Sequence, residues 1–203
     1  MRIGIINYGL GNVGSVLNSF KFYRHDVTLI TNPKGLETID VVILTGIGNF
    51  NASVSRLKEF HFWDKLNEEV LIKKKPVIGI CLGMQLFADV SYENALNNGF
   101  GWIKGKVIRI NSSSIKVPHI GWNEAMPKNS KMFRGLQDNF FYFMHSYHFV
   151  PEDGDVIAAT TKYGDVEMVS AVQRDNIVGV QFHPEKSQNN GLKFLRNCLE
   201  VIV

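Results

Sequence analysis

Short apolar runs alternate with stretches of helical periodicity through the first half of this chain. Ile3 to Asn7, Val27 to Thr31, Val41 to Thr45 and Val77 to Ile80 read as strands, and Val13 to Tyr23, Val54 to Lys74 and Met84 to Val90 read as helices. Strands that are apolar at nearly every position are buried on both faces, and strands joined through helices run parallel. The pattern predicts an α/β fold of three layers, with a doubly wound, largely parallel sheet. Beyond Gly101 the character changes. Trp102 to Ile110, Phe140 to Val150, Val156 to Thr161 and Val166 to Gln173 read as strands separated by turns, so antiparallel additions are expected before a closing helix from about Gln188. No stretch reads as a linker, so residues 1–203 are expected to form a single domain. A chain of that length buries roughly 70% of its unfolded surface.

The run Pro76-Val77-Ile78-Gly79-Ile80 stops at one thiol, Cys81, and Leu82-Gly83-Met84-Gln85 then turns helical. Glycines on both sides give room for a sharp strand-to-helix turn that displays a nucleophile, with the sulfur at a helix N-terminus where free N–H groups favour a thiolate. A lone cysteine among apolar residues is ordinarily buried and inert. The segment Ile177 to Ser187 reverses that reading. Its apolar half is another strand, delivering His183 at the strand end before Pro184, which holds the preceding residue extended. Glu185 follows two positions later, on the same side of an extended segment, where it can orient the ring. Strand ends from distant parts of a parallel sheet meet along one carboxyl edge, so Cys81, His183 and Glu185 are expected to form a relay in one crevice.

With these motifs in view, the chain resembles the class I (triad) glutamine amidotransferases, and among them the HisH-type glutaminase subunits of imidazole glycerol phosphate synthase. The resemblance runs through Asn7 to Val16, Gly79 to Leu86, Val117 to Glu124 (Val-Pro-His-Ile-Gly-Trp-Asn-Glu), Phe141 to Tyr147 and Gln181 to Ser187. It implies that Cys81 attacks the side-chain amide of L-glutamine, His183 shuttles the proton and Glu185 orients His183. It also implies an oxyanion hole from backbone N–H groups of Leu82 and of the Gly46-Ile47-Gly48 loop. Glutamine would be held by Gly46, Gly48, Gln85, Glu93, Ser146 and Tyr147. Acyl transfer from an amide needs such donors, each contributing about 3 kcal/mol. The implied partner is a HisF-type (β/α)8 cyclase subunit in a heterodimer, with Asn12, Trp122, Tyr142 and Lys186 as candidate interface residues. The partner would use the ammonia to form imidazole glycerol phosphate and the aminoimidazole carboxamide ribotide in histidine biosynthesis. One departure is visible: the family usually has Pro-Gly-Val-Gly where this chain has Thr45-Gly46-Ile47-Gly48. Thr45 frees φ and restores an N–H, so the loop entry gains mobility or a hydrogen bond.

Other readings compete at several points. Gly9-Leu10-Gly11-Asn12-Val13-Gly14 has the form of a dinucleotide fingerprint, but the second strand runs into Thr31-Asn32-Pro33 without a carboxylate. Its glycines are better explained by a tight turn and close helix packing, and no cofactor is expected. His119, His145 and His148 lack metal-ligand spacing, so no metal is expected either. Trp122 and Tyr142 fit a core as well as an interface. Cys198 repeats at helical spacing with Leu195 and Leu199 and reads as core, while Lys73-Lys74-Lys75 reads as a cationic helix end.

Two cysteines outside any pairing framework fit a reducing, cytoplasmic setting, and no apolar run approaches the roughly 20 residues of a membrane helix. A net charge of +3 is too mild to imply a nucleic acid. The glutaminase is expected to occupy the whole chain, leaving the ammonia acceptor on another subunit. Two alternatives remain open: a HisH paralogue serving amidation of bacterial surface sugars, and a non-catalytic binding module or peptidase-like member of the fold.

Overall fold

The structure, a computed structural model, describes residues 1–202. The first half is a βα series: β1 (Arg2–Ile6), α1 (Val13–Phe22), β2 (Asp26–Ile30), β3 (Val41–Gly46), α2 (Phe50–Glu59), α3 (Phe62–Asn67), β4 (Val77–Cys81) and α4 (Leu82–Gln85). The second half adds β5 (Val90–Ser91), β6 (Asn97–Asn98), β7 (Gly105–Arg109), β8 (His119–Glu124), β9 (Met126–Pro127) and β10 (Phe140–His145). It continues with β11 (Tyr147–Pro151), β12 (Ile157–Tyr163), β13 (Val166–Arg174), β14 (Ile177–Val180) and a closing helix, α5 (Gln188–Ile202).

The main sheet has eight strands in the order β2-β1-β3-β4-β14-β13-β12-β9. Its first five strands are parallel and its last three join antiparallel. Smaller sheets, β10-β8 and β11-β7-β5-β6, complete the architecture. Every residue of β3, β4 and β14 is buried, as strands covered on both faces require. Val42, Leu44 and Val77 pack with Phe50, Leu57, Phe62 and Leu66 of α2 and α3. On the other face, Val41, Ile43, Ile78 and Ile80 pack with Phe20 of α1 and Phe194, Leu195 and Cys198 of α5. The α/β class, the parallel core, the closing helix and the core position of Cys198 agree with the sequence.

Beyond the short strands β5, β6 and β9, which the sequence reading did not include, four elements differ from the expectation, each for a local reason. The helix expected from Val54 to Lys74 breaks at His61, which adopts a left-handed φ of 59°. The buried series Phe50, Val54, Leu57 would next bury position 61, but the apolar residue is Phe62; a break and restart brings Phe62 and Leu66 back to the core. The helix expected from Met84 to Val90 stops after one turn, because the carbonyls of Leu86, Phe87 and Ala88 accept from the amides of Phe100, Ile103 and Gly101. The single strand expected from Phe140 to Val150 is two, β10 and β11, parted at Ser146 and paired in different sheets. The strand β8 has no counterpart in the sequence reading, its alternation hidden by His119, Gly121 and Asn123.

The lysine run does more than end a helix. Glu69 is buried to 1% exposure, with the ammonium groups of Lys73, Lys75 and Lys65 at 2.7, 2.8 and 3.3 Å. Burial pushes the Glu69 carboxyl up, and hydrogen bonds from Lys73 and Lys75 outweigh that, holding it at about 2. Glu69→Ala removes a carboxylate shared by three lysines, of which Lys65 and Lys73 keep Glu37 or Glu68, and is expected to cost about 1.5–3 kcal/mol in urea unfolding; a loss under about 0.5 kcal/mol would contradict the clamp. Because the folded value lies below the ordinary 4.5, this stabilisation is complete above pH 4.5 and is lost as pH falls towards about 2.

Candidate active site

Cys81 ends β4 and immediately precedes α4, with φ 54° and ψ −110°. A non-glycine residue in that region carries about 1–3 kcal/mol of strain, held by its surroundings. Those surroundings admit only glycine on either side. A Cβ on Gly79 would come within 2.4 Å of the Phe87 ring, and one on Gly83 within 1.9 Å of the Leu44 carbonyl oxygen. Since α4 is a single turn, its macrodipole is small and its free amides contribute locally. Cys81 Sγ lies 4.0 Å from the Met144 carbonyl oxygen, and the Gln181 side-chain N–H donates to it at 3.6 Å.

Three residues beyond β14, the neighbour of β4, His183 donates from Nδ1 to Glu185 Oε1 at 2.8 Å. Both side chains are sealed, at 1% and 0% exposure. Pro184–Lys186 is a 3₁₀ turn, so the two meet through its curvature and not through the extended geometry expected from sequence. The other ring nitrogen, Nε2, is buried with no hydrogen-bond partner. Burial favours the neutral ring, but electrostatic and hydrogen-bonding contributions from Cys81 and Glu185 override it and raise the His183 pKa to about 10. A protonated ring beside a thiol and a carboxylate is an arrangement that can support acyl transfer to sulfur.

A cavity of about 260 Å³ opens over the sulfur. Cys81, Leu82, Ile47, Gly48, Gln85, Glu93, Ser146 and Tyr147 line it, together with Pro118, Met144 and His145, which the sequence reading missed. Gly46 does not line it; it ends β3 packed beneath the Tyr8 hydroxyl, where a Cβ would lie 2.6 Å from that oxygen. Thr45 is a buried strand residue paired with Ile80, and its carbonyl accepts from the Tyr8 hydroxyl at 3.1 Å. Desolvation, with the Cys81 charge adding to it, raises the Tyr8 pKa to about 12. The loop then reaches Gly48 at φ 99°, and Glu93 Oε2 accepts from the Phe50 N–H at 2.8 Å, anchoring the loop where α2 begins.

Gln85 donates one side-chain N–H to the Tyr147 carbonyl (2.8 Å) and the other to Gln181 Oε1 (2.9 Å). Both donors are spent, so Gln85 offers the cavity only an acceptor. Gln181, fully buried, was not singled out in sequence; its place between a strand and His183 was the available signal.

Trp122 and Tyr142 are cross-strand partners on β8 and β10, with ring centroids 6.3 Å apart, and the Lys186 ammonium lies 5.6 Å from the centre of the Tyr142 ring. Ile120, Trp122 and Phe140 on these strands are 55%, 50% and 48% exposed, so Trp122 is not a core residue. Asn12 stands at the start of α1 without a side-chain cap bond. Gly9 and Gly11 have φ of 86° and 120°, as a tight turn requires, but a Cβ on Gly14 would meet nothing within 4 Å, so close helix packing does not explain it. Among the described residues no group of three or more His, Cys, Asp or Glu is placed to hold a metal.

The glutamine amidotransferase class-I family model matches residues 4–202. The chain is 44% identical to the imidazole glycerol phosphate synthase subunit HisH of Pelagibacter ubique, covering 99% of this chain and 100% of that protein. It is also 44% identical to the subunit of the same name from Pyrococcus furiosus, covering 97% of each. Among solved structures, one described as a glutamine amidotransferase superposes with a TM-score of 0.78 at 18% identity, covering 98% of each chain. PurLQS from Thermotoga maritima gives 0.76 at 16% identity, covering 100% of this chain and 99% of that one.

Proposed function

We infer the function from one premise: this chain belongs to the class I glutamine amidotransferase family. It is the glutaminase subunit of an imidazole glycerol phosphate synthase, hydrolysing L-glutamine and handing the ammonia to a separate cyclase subunit for histidine biosynthesis. The observation that carries this reading is the strained Cys81 on the floor of the cavity, beside a His183 whose other nitrogen is held by Glu185. Cys81 attacks the amide carbon of glutamine and its sulfur becomes the thioester. His183 gives its Nε2 proton to the departing ammonia, then takes a proton from the water that hydrolyses the thioester, while Glu185 keeps the ring's tautomer fixed. The backbone N–H groups of Leu82, Ile47 and Gly48 are the oxyanion donors. Gln85, Glu93, Ser146 and Tyr147 hold the substrate, with Gln85 Oε1 and the Glu93 carboxylate suited to its ammonium group.

The partner is a HisF-type (β/α)8 cyclase. The exposed apolar face of Ile120, Trp122 and Phe140, flanked by Tyr142 and Lys186, supports its docking here, since a patch of that kind marks an interface. Asn12 follows β1 at the same carboxyl edge as Cys81 and completes the docking set. No described helix is long and apolar enough to cross a membrane, which fits a cytoplasmic heterodimer.

A diazo-ketone analogue of glutamine tests the reading. It is expected to label Cys81 alone, because Cys198 is fully buried and burial pushes its thiol well above the ordinary value. Absence of label with the partner bound would favour a binding module. Failure to support histidine synthesis with a genuine HisF, despite labelling, would favour the surface-sugar role.

A further inference from the structure

Two buried histidines, His119 and His145, take no part in the chemistry above, yet they lie in an unbroken hydrogen-bonded chain that reaches the nucleophile. It starts at Asn123 on β8, whose amide orientation is fixed: Oδ1 accepts from the Glu124 N–H at 2.8 Å, and Nδ2 donates to the Lys162 carbonyl at 3.0 Å. The same Nδ2 donates to His119 Nε2 at 3.1 Å, so that nitrogen is an acceptor. His119 Nδ1 and His145 Nε2 are 3.0 Å apart, and His145 Nδ1 faces the Tyr147 carbonyl at 2.9 Å. A carbonyl only accepts, so His145 carries its proton on Nδ1. Its Nε2 then accepts from His119 Nδ1–H. Every link has one donor and one acceptor, and the assignment is unique. A further proton on either ring would set two donors face to face.

The surroundings hold this state. His119 is 2% exposed and stacked between Phe143 and Tyr163, with ring centroids at 4.7 and 4.1 Å. Burial lowers His119 to about 4 and, with the neighbouring imidazoles adding to it, His145 to about 3. The chain does not end at Tyr147, whose carbonyl also accepts from Gln85; Gln85 donates to Gln181, and Gln181 to the Cys81 sulfur.

We propose that His119 and His145 are positioning residues, a relay of two neutral imidazoles that fixes the Ser146–Tyr147 wall of the glutamine cavity and, through Gln85 and Gln181, keeps an amide N–H aimed at the Cys81 sulfur. The relay begins beside Trp122, on the strand β8 that carries the proposed docking face. It deepens the glutaminase reading and rests on it.

Long-range proton–nitrogen NMR spectra of the full chain read the tautomers directly. Both rings are expected to be neutral at neutral pH with the proton on Nδ1; a doubly protonated ring, or a proton on Nε2 of either, overturns the relay. His119→Phe keeps the aromatic stack and removes both nitrogens, whereas His119→Gln can again accept from Asn123 and donate to His145. With the co-purified partner, His119→Phe is expected to raise the KM for glutamine about tenfold, the loss of roughly one hydrogen bond's worth of positioning, and His119→Gln to recover most of it. A merely structural role would reduce the folded fraction, lowering kcat with KM unchanged, and that result overturns the proposal. So does a His119→Gln variant whose KM is as poor as that of His119→Phe. Should His119→Phe fail to fold, the parent's tautomers and His119→Gln still decide. A parent complex that turns over no glutamine would sink the glutaminase reading, while the tautomer spectrum still judges the relay.

Discussion

Cys81→Ala is expected to remove glutamine-dependent product formation by about 10⁴-fold to 10⁶-fold, the scale seen when a covalent nucleophile is deleted, and to leave ammonia-dependent synthesis by the cyclase partner intact. The asymmetry follows from the structure. Alanine can occupy the φ of 54° at the same backbone cost as cysteine, and the glycines at 79 and 83 that permit the turn are untouched. The sulfur fills no large volume in the core, since it faces the cavity. The variant should therefore fold, dock and still present a complete surface to its partner. What it lacks is the nucleophilic sulfur: among the described residues the other cysteine, Cys198, is fully buried within α5 and does not line the cavity. Steady-state assays with glutamine and with ammonium salts in parallel check this, and retained glutamine-dependent turnover would contradict it.

Glu185→Gln is expected to lower glutaminase kcat by about 10³-fold to 10⁴-fold, comparable to amide replacement of the carboxylate in a serine triad. The single bond from His183 Nδ1 to Glu185 Oε1, 2.8 Å long, fixes which nitrogen faces the sulfur. A glutamine side chain of the same shape can place its amide N–H₂ there, which favours the wrong tautomer, and it removes the carboxylate that helps raise the His183 pKa. Glu185 Oε2 is buried without a partner, so neither orientation of the new amide finds a full set of hydrogen bonds. A decrease of less than tenfold would mean that Glu185 does not orient the ring. The labelling rate of Cys81 by the glutamine analogue should fall with kcat, because both depend on the same imidazolium.

Much of this site was legible in the sequence because parallel α/β sheets gather strand ends at one edge. Cys81 and His183 close two apolar runs that become the adjacent strands β4 and β14. The glycines around Cys81 predicted a sharp turn, and the clash distances at Gly79 and Gly83 give that prediction its physical content. What the sequence concealed depends on contacts distant along the chain. The early end of α4 is imposed by amides from residues 100 to 103, which take the carbonyls a longer helix would use. The split of residues 140 to 150 depends on two partner strands, one of which, β8, is masked by polar residues. Those same polar residues, His119 and Asn123, begin the hydrogen-bonded chain that runs through His145 towards Cys81. Glu69, a charged residue in a helical pattern, gives no hint in sequence that three lysines enclose it.

The most direct test of the Cys81–His183–Glu185 arrangement is acid quenching of the partner-bound protein during turnover, followed by mass-spectrometric mapping of the acylated peptide. A γ-glutamyl thioester on the peptide containing Cys81, absent from Cys81→Ala, is the predicted result. Sustained glutamine hydrolysis with that peptide unmodified, or the acyl group on another residue, would contradict it.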